Sequence, residues 1–418
     1  MDNLGNTCYL NSIIQTFANI ELFKKFLLNN TYLDFFMHKM DLIQSDLKIK
    51  LHKLYDSPIY QFYRLINTIY TGSVDSESLK PTTLRKKLGL KNSMFKSSQQ
   101  QDAQEAFTIL IEMMHMEIAQ NVSDTTQNVS DTAQNVSDTT QNVFDTAQNV
   151  SDITNPDPLQ KACINFWSKE YSPLYEIFHG MYLNTRICTE CNYISTEYNP
   201  NLFLGLDIPV KRLDKSDEKV FNNFNITDYI NINCKINSIS IDSKVKEEMC
   251  KNLDEKTINL IKEQYLLITS TNAIYDINDC IQDFASTKII DDVKCPGCNN
   301  KCSCSSKNEL VIPPKVLCVH IKRFNNNLSK KNNHITFPFD LDINSILSTN
   351  LDSNKFKYKL KSVINHSGYS SNFGHYYTYA YSSIHEKWFN FNDETVTELR
   401  DSQICTNNAY LLFYELDN

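Results

Sequence analysis

The sequence predicts an α+β protein in which helices come first and strands follow. Residues 9–118 carry helical periodicity, since apolar side chains from Leu10 to Phe17 recur at i, i+3, i+4 and i+7. From about residue 155 the chain turns to short apolar or alternating runs bounded by Pro or Asn, which are typical of strands. With 418 residues and 41% hydrophobic content it can bury a large core, which excludes a fully disordered chain or a disulfide-stapled miniprotein.

The first helix is expected to begin near Cys8, with Thr7 as its N-cap. The apolar stripe leaves Asn11, Gln15 and Thr16 largely on the opposite face, so an amphipathic helix is predicted. The positive end of a helix dipole stabilises a thiolate in the first turn and makes it nucleophilic. Taken alone, Cys8 fits a small buried hydrophobe better, since that is the commoner fate of a cysteine.

A second strong helix is predicted after Ser98. Asp102 and Glu105 stand near its start, where acids suit the positive end of the helix dipole. We therefore assign residues 1–119 to an N-terminal helical unit.

Residues 120–154 form a low-complexity repeat of five seven-residue units: QNVSDTT, QNVSDTA, QNVSDTT, QNVFDTA and QNVSDIT. A period of seven suggests a coiled coil, but only one Val is common to every unit where a seam requires two apolar positions. The other positions are mostly small polar residues that favour turns over helix interiors. We predict a flexible loop, with an interaction tether as the alternative.

The remaining unit, residues 155–418, is predicted to be rich in strands, and its last hundred residues are expected to form β-hairpins. Residues 211–285 are rich in Asn, Asp, Ile and Lys, with helical periodicity at 244–266, and are predicted to be an insertion. The strands with the clearest pattern lie at 182–187, 203–210 and 310–323.

Two aromatic runs near the C-terminus predict an antiparallel hairpin around the loop 382–387. If residues at equal distances in sequence on either side of this loop pair across the hairpin, His375 lies opposite position 394. A shift of the strand register by one or two residues brings Asn392 or Asp393 beside it. A side chain that fixes the tautomer of an imidazole is the orienting group that a Cys–His pair requires. Without further motifs, a surface histidine that faces a hairpin acid explains this pattern better.

Four cysteines form two C-x-x-C pairs, a spacing that presents two thiolates to one metal from a tight turn: Cys188, Cys191, Cys295 and Cys298. Together they predict one structural zinc ion with four cysteine ligands, and free reduced thiols are the alternative. Cys302 and Cys304 follow closely and could compete as ligands. No catalytic metal or organic cofactor is expected.

Three motifs, in chain order, resemble the signature boxes of the ubiquitin-specific proteases: Gly5-Asn-Thr-Cys-Tyr-Leu-Asn-Ser, Gln100-Gln-Asp-Ala-Gln-Glu, and His366-Ser-Gly with Gly374-His-Tyr. Supporting stretches match at 204–209 and 313–324. The resemblance implies a fold of the papain-like cysteine protease superfamily with a helical thumb, a mixed palm and β fingers. It also implies a thiol-dependent deubiquitinase, which hydrolyses the bond after the C-terminal glycine of ubiquitin through a thioester.

The resemblance assigns a role to each residue of the catalytic set. Cys8 is implied to be the nucleophile and His375 the general base, while Asn392 orients the histidine and Asp393 is a second contributor. Asn3 matches the side chain that donates a hydrogen bond to the oxyanion. The family usually has several residues before this box, whereas Met1 stands two residues before Asn3. We therefore expect either a reduced brace for the oxyanion donor or a start codon further upstream.

Three further residues are implied to bind substrate. Asp102 and Glu105 match acids that meet the basic tail of ubiquitin, and Tyr376 is expected to line the channel for that tail. The alternative is two helix-dipole acids and a packed aromatic ring. Alternatives to an active deubiquitinase are a catalytically weak ubiquitin-binding protein and a protease for another ubiquitin-like modifier.

Composition limits the partners and the compartment. A formal net charge of −8 excludes a strongly basic nucleic-acid binder and suits a basic protein partner. No apolar run is long enough to span a bilayer, and the N-terminus lacks the basic residues of a signal peptide. The odd number of cysteines, 13, indicates reduced thiols and therefore cytoplasm or nucleus. We expect a monomer whose partners are ubiquitin and ubiquitinated proteins.

Overall fold

The computed structural model describes residues 1–72, 79–120, 157–167, 171–209, 274–325, 329–348, 351, 356–370 and 373–417. No helix among these residues is both long enough and apolar enough to cross a membrane. The predicted repeat at 120–154, apart from Gln120, lies outside the described residues, as do residues 211–273 of the predicted insertion with their helical periodicity.

The described helices are α1 (Cys8–Asn19), α2 (Glu21–Leu28), α3 (Thr31–Asp41), α4 (Leu47–Asp56), α5 (Pro58–Thr71), α6 (Thr82–Lys91), α7 (Ala103–Ile118), α8 (Pro158–Trp167), α9 (Pro173–Phe178) and α10 (Ile277–Ala285). Short 3₁₀ helices occur at Ser93–Lys96 and Asp401–Gln403. The first seven α-helices lie within residues 1–119, and we call this part of the chain the thumb.

The described strands are β1 (Gly180–Cys188), β2 (Ile194–Asn201), β3 (Phe203–Asp207), β4 (Tyr275–Asp276), β5 (Lys288–Lys294), β6 (Lys301–Ile312), β7 (Val316–Lys322), β8 (Ile335–Thr336), β9 (Asp340–Asp342), β10 (Lys357–Ser370), β11 (Phe373–Ser382), β12 (Lys387–Asn392), β13 (Thr395–Leu399) and β14 (Ala409–Leu416). Helices therefore precede a strand-rich region, and the predicted α+β class is confirmed.

Two sheets organise the strands. The palm is an eight-stranded sheet in the order β13-β12-β11-β10-β14-β7-β3, with β9 also paired to β10. Its strand pairs are antiparallel except for β3 and β7, which run parallel. The fingers are a four-stranded antiparallel sheet in the order β2-β1-β6-β5. A short parallel pair, β4 and β8, lies beside the palm.

The strand expected at 310–323 is divided in the structure. It is broken at Pro313 and Pro314 into β6 and β7, because proline has no backbone N–H to donate to a sheet. The last residues of the predicted insertion, 274–285, contain β4 and α10, which are folded against the palm. Ile277 and Ile281 of α10 are fully buried in the palm core.

Helix α1 is buried on every side, which differs from the predicted amphipathic helix. Its polar face packs against the palm instead of water. The Thr16 hydroxyl is 2.9 Å from the Ser362 hydroxyl on β10, and the Thr378 hydroxyl on β11 donates to the Ser12 carbonyl at 3.0 Å. Buried polar groups on a helix are tolerated where each one finds a partner.

Residue Thr7 occupies the N-cap position of α1, as predicted, but its side chain does not cap the helix. Its hydroxyl accepts instead from the Leu4 N–H, at 2.8 Å. Helix α7 is capped conventionally, because the Asp102 carboxylate accepts from the N–H groups of Gln104 and Glu105.

Phe107 of α7 joins the thumb to the palm through an aromatic cluster. Its ring centroid lies 5.0 Å from Phe17 of α1, 5.5 Å from Phe203 of β3 and 5.3 Å from Phe413 of β14. Aromatic pairs at these separations contribute beyond their buried area. The helical and sheet regions therefore share one core.

We predict that Phe107→Ala lowers the free energy of unfolding by about 3–5 kcal/mol, because it removes a fully buried ring from this shared core. Urea denaturation followed by circular dichroism measures the change. Phe373→Ala is the matched control, since Phe373 is 77% exposed and its loss is expected to cost less than about 0.5 kcal/mol. Equal losses in the two variants would contradict the shared core.

Candidate active site and cysteine cluster

A tight turn formed by residues 3–7 sets the position of Cys8. The Asn3 Oδ1 atom accepts from the N–H groups of Gly5 and Thr7, at 3.1 and 3.0 Å. Gly5 has a φ of +88°, a left-handed conformation that glycine adopts at the least cost. The turn delivers the chain to α1 so that Cys8 is the first helical residue.

The Cys8 thiol lies at the contact between thumb and palm. The backbone N–H of Tyr376 on β11 points to its Sγ at 3.4 Å, and the Gln100 Nε2 atom lies 3.9 Å from the same sulfur. Only 2% of Cys8 is exposed. The segment that carries Gln100 therefore covers part of the thiol.

The hairpin of β11 and β12 brings His375 to Asn392. Its pairing joins Thr378 to Phe391 and Ser382 to Lys387, which is the register predicted by reflection through the loop centre. The His375 Nε2 atom is 2.5 Å from the Asn392 Oδ1 atom. Because the amide oxygen accepts, Nε2 carries a proton and Nδ1 is left to face the thiol.

A hydrogen bond to Cys8 raises the pKa of His375 from 6.5 to about 9, and burial opposes this rise. The bond to Asn392 and the charge of Asp393 raise the pKa further. His375 is therefore protonated at neutral pH and stands beside the thiol, as the base of a Cys–His pair does. The stability that this proton contributes is present below pH 6.5 and is lost as the pH rises through about 9.

Asp393 binds Asn3 instead of the histidine. Its Oδ2 atom accepts from the Asn3 amide at 2.8 Å, and its Oδ1 atom accepts from the Asn11 amide, also at 2.8 Å. The Asn3 amide group is consequently held at both ends, with its oxygen in the turn and its nitrogen on Asp393. An amide nitrogen carries two hydrogens, so one remains after the bond to Asp393.

The side chain of Tyr376 lies in the core. It is 0% exposed and packs against the rings of His366 and Tyr410. Successive side chains of a strand point to opposite faces, so Tyr376 does not share the face of His375. The group of Tyr376 that meets Cys8 is its backbone N–H, and a role of its ring in a substrate channel stays a prediction.

The two predicted acidic residues have different surroundings. Asp102 caps α7 and accepts from the Tyr410 hydroxyl at 2.8 Å, and burial raises the pKa of its carboxyl group. Glu105 is half-buried one turn further along the helix, where it accepts from the Asn92 amide at 3.0 Å. Asp102 therefore has a structural role already, while Glu105 keeps part of its carboxylate available to solvent.

Two cavities lie near this set of residues. The larger, about 730 Å³, lies between the start of α7 and the palm and is lined by Asp102, Lys322 and Tyr410 among others. The second, about 610 Å³, is lined by Gln100 and Gly374, each of which neighbours the candidate catalytic pair. A Cβ atom on Gly374 would lie 2.5 Å from the Ser367 carbonyl oxygen, so a larger residue does not fit there.

The cysteine cluster at the end of the fingers fits a thiolate-bound metal. The Sγ atoms of the two C-x-x-C pairs, Cys188 with Cys191 and Cys295 with Cys298, all lie within 4.8 Å of one another. Cys191 and Cys295 are 3.6 Å apart. A tetrahedral zinc ion with Zn–S bonds of about 2.3 Å requires sulfur separations of about 3.8 Å. The four predicted ligands therefore come together as the sequence indicates.

Two residues near the thiol were missed by sequence reasoning. Gln100 is the first residue of the motif Gln100-Gln-Asp-Ala-Gln-Glu, but the sequence does not indicate that its amide approaches Cys8. Asn11 was placed on a solvent face, although its spacing three residues after Cys8 puts both on one side of the helix. Its amide bonds to Asp393 and makes it part of the same network.

Comparison with known proteins identifies relatives across the chain. The family described as "Ubiquitin carboxyl-terminal hydrolase" matches residues 1–414. Ubiquitin carboxyl-terminal hydrolase 2 of Homo sapiens is 26% identical over 99% of this chain and 54% of its own length. A probable ubiquitin carboxyl-terminal hydrolase of Acanthamoeba polyphaga mimivirus is 24% identical over 99% of this chain and 88% of its own length. The chain thus spans about half the length of the human relative.

Solved structures with the same fold cover the whole chain at 18% identity. The match to the SAGA Ubp8/Sgf11/Sus1/Sgf73 DUB module bound to ubiquitin aldehyde has a TM-score of 0.59, and it covers 69% of the matched chain in that structure. The same module bound to monoubiquitin has a TM-score of 0.61, with the same coverage. These matches confirm the predicted fold. They give no support to the expected monomer, because Ubp8 belongs to a module of several chains.

We predict that Cys8→Ala lowers the pKa of His375 from about 9, because the hydrogen bond that raises it most is lost while burial, which lowers it, remains. Titration of the ring protons by NMR measures the change. Cys318→Ala, which removes a buried thiol elsewhere in the palm, is the control and should leave the value near 9. A pKa near 9 in Cys8→Ala would show that the thiol does not pair with the histidine.

Proposed function

Because the chain belongs to the ubiquitin carboxyl-terminal hydrolase family, we propose that it is a cysteine deubiquitinase. Its substrate is ubiquitin joined through its C-terminal glycine to another group, and its products are free ubiquitin and that group. The observation that carries this proposal is the convergence of Cys8, His375 and Asn392 from three separate elements. A binding-only role is not favoured, since a site without turnover would have no use for this assembly.

The first step is attack by the Cys8 thiolate on the carbonyl carbon of the terminal glycine. The negative charge that develops on the carbonyl oxygen is met by the free amide hydrogen of Asn3. One such donor is worth about 3 kcal/mol of barrier. Asp393 and the turn hold this amide before substrate arrives, so little free energy is lost in orienting it.

Proton transfer by His375 completes the cycle. The imidazolium gives its proton to the leaving amine as the carbon–nitrogen bond breaks and the thioester forms. The neutral ring then takes a proton from water, which attacks the thioester and releases ubiquitin. Asn392 holds the ring so that the nitrogen facing the sulfur is the one that exchanges protons.

The ubiquitin tail is proposed to reach Cys8 through the two cavities beside α7. Glu105 is the better partner for a basic residue of the tail, because part of its carboxylate is exposed. Asp102 supports this surface mainly by capping α7 and binding Tyr410. The formal charge of −8 favours the approach of a basic tail at long range.

We assign one structural zinc ion to the two C-x-x-C pairs of the fingers: Cys188, Cys191, Cys295 and Cys298. Its contribution is to join β1 to the turn between β5 and β6. Each described cysteine is free, which favours a reducing compartment such as cytoplasm or nucleus.

We predict that Asn392→Ala lowers kcat about 10²-fold with little change in KM, because the histidine loses its orienting partner. The assay is hydrolysis of ubiquitin bearing a C-terminal fluorogenic amide. Asn390→Ala on the same strand is the matched control, since Asn390 is two residues away and does not contact His375. Failure of the wild type to hydrolyse this substrate would overturn the proposed function, and equal rates in both variants would remove Asn392 from the mechanism.

Removal of zinc is expected to unfold the fingers while the thumb stays folded, because metal binding and folding are coupled at such sites. After chelation, residues 180–201 and 288–312 should lose protection from hydrogen exchange, as measured by mass spectrometry, and α1 should keep it. The control is the same chelator already saturated with zinc. Unchanged protection of the fingers in metal-free protein would exclude a structural ion there.

A further inference from the structure

The end of the fingers contains more thiols than one zinc ion can bind. Cys302 and Cys304 of β6 lie beside the four cysteines assigned above, and both are buried. A tetrahedral structural zinc site is complete with four ligands. Two buried thiols are therefore left over by the proposed single ion.

These two thiols are in direct contact with one of the assigned ligands. The Sγ atom of Cys302 is 3.2 Å from that of Cys188, and the sulfurs of Cys188, Cys302 and Cys304 all lie within 4.8 Å of one another. The pairing of β1 with β6 sets Cys188 opposite Cys304. Cys302 and Cys304 are two residues apart on β6, so their side chains share a face of the sheet with Cys188.

The six sulfurs form one continuous group. Cys298, a ligand in the second C-x-x-C pair, lies within 4.8 Å of Cys302 in a group that also includes the Glu190 carboxylate. Cys188 thus approaches both cysteines of β6 as well as the assigned four-cysteine site, and Cys298 approaches Cys302 of that pair. This is the arrangement in which two ions share two bridging thiolates and each has four sulfur ligands.

The packing of this region argues against a conventional apolar core. Its buried cluster consists of Cys188, Cys295, Cys302 and Cys304, and the partly buried side chains against it are Val293 and Cys298. A buried free cysteine ordinarily acts as a small hydrophobe among larger aliphatic or aromatic side chains. Among the described residues, Val293 is the one aliphatic side chain packed against this cluster. Hydrophobic burial therefore contributes little to the stability of this end of the fingers, and metal–thiolate bonds must supply it.

We propose that the fingers bind a second zinc ion, held by Cys302 and Cys304 and by the thiolates of Cys188 and Cys298, which bridge it to the first ion. Binding replaces the protons of two thiols: one Zn²⁺ enters, two Zn–S bonds form to Cys302 and Cys304, and two protons leave. The net charge of the cluster does not change, because the two added thiolates balance the added ion. The inference rests on the first zinc site of the proposed function.

The test is the zinc content of the full chain, measured by native mass spectrometry after saturation with zinc and removal of unbound metal. Two ions per chain are expected in the wild type and one in Cys302→Ser/Cys304→Ser. Cys163→Ser/Cys405→Ser is the matched control, because both of its thiols lie outside the cluster, and it should retain two ions.

One ion per chain in the wild type would overturn the second site and leave the first one intact. No bound ion would overturn both, and two ions in Cys302→Ser/Cys304→Ser would show that these cysteines are not the ligands. Titration of metal-free wild type with Co²⁺ decides the question even if that variant does not fold. The thiolate-to-cobalt absorbance should rise until the second equivalent, and a plateau at the first would contradict the proposal. None of these readouts depends on ubiquitin hydrolysis.

Discussion

The complete burial of α1 between the thumb helices and the palm sheet is the constraint on which the candidate site depends. The thiol comes from the first residue of this helix, whereas the histidine and its orienting amide come from a hairpin more than three hundred residues away in sequence. Direct bonds from Thr16 and Ser12 to the palm fix the helix against the strands. Because both faces of α1 are packed, Cys8 cannot shift relative to His375 without disturbing the shared core.

The part of the site that arises within one hairpin could be predicted from the sequence. Reflection through the loop after β11 predicted the observed register, and the His375–Asn392 contact followed because a short turn determines strand pairing locally. The grouping of the four cysteines was also predicted, since each C-x-x-C pair sits in a single turn. In both cases the geometry is set by a few consecutive residues.

Features that depend on distant packing were predicted poorly. The polar face of α1 looked solvent-exposed because its partners, such as Asp393 for Asn11, lie on strands that the sequence does not connect to it. Asp393 was expected to contribute beside Asn392, and its charge does raise the pKa of His375, but the sequence did not show that its carboxylate binds Asn3. The burial of the Tyr376 ring could have been expected, since strand alternation alone separates its side chain from that of His375. Cys302 and Cys304 gained meaning only when the sheet placed them beside Cys188.

We propose that Cys8, held in place by this packing, attacks the C-terminus of ubiquitin. The most direct measurement is reaction of the protein with ubiquitin whose C-terminus carries a thiol-reactive group, followed by peptide mapping of the adduct. We expect one covalent ubiquitin on Cys8 in the wild type and none in Cys8→Ala, although that variant still binds ubiquitin. An adduct that persists in Cys8→Ala, or none on folded wild type, would contradict the proposed role of Cys8.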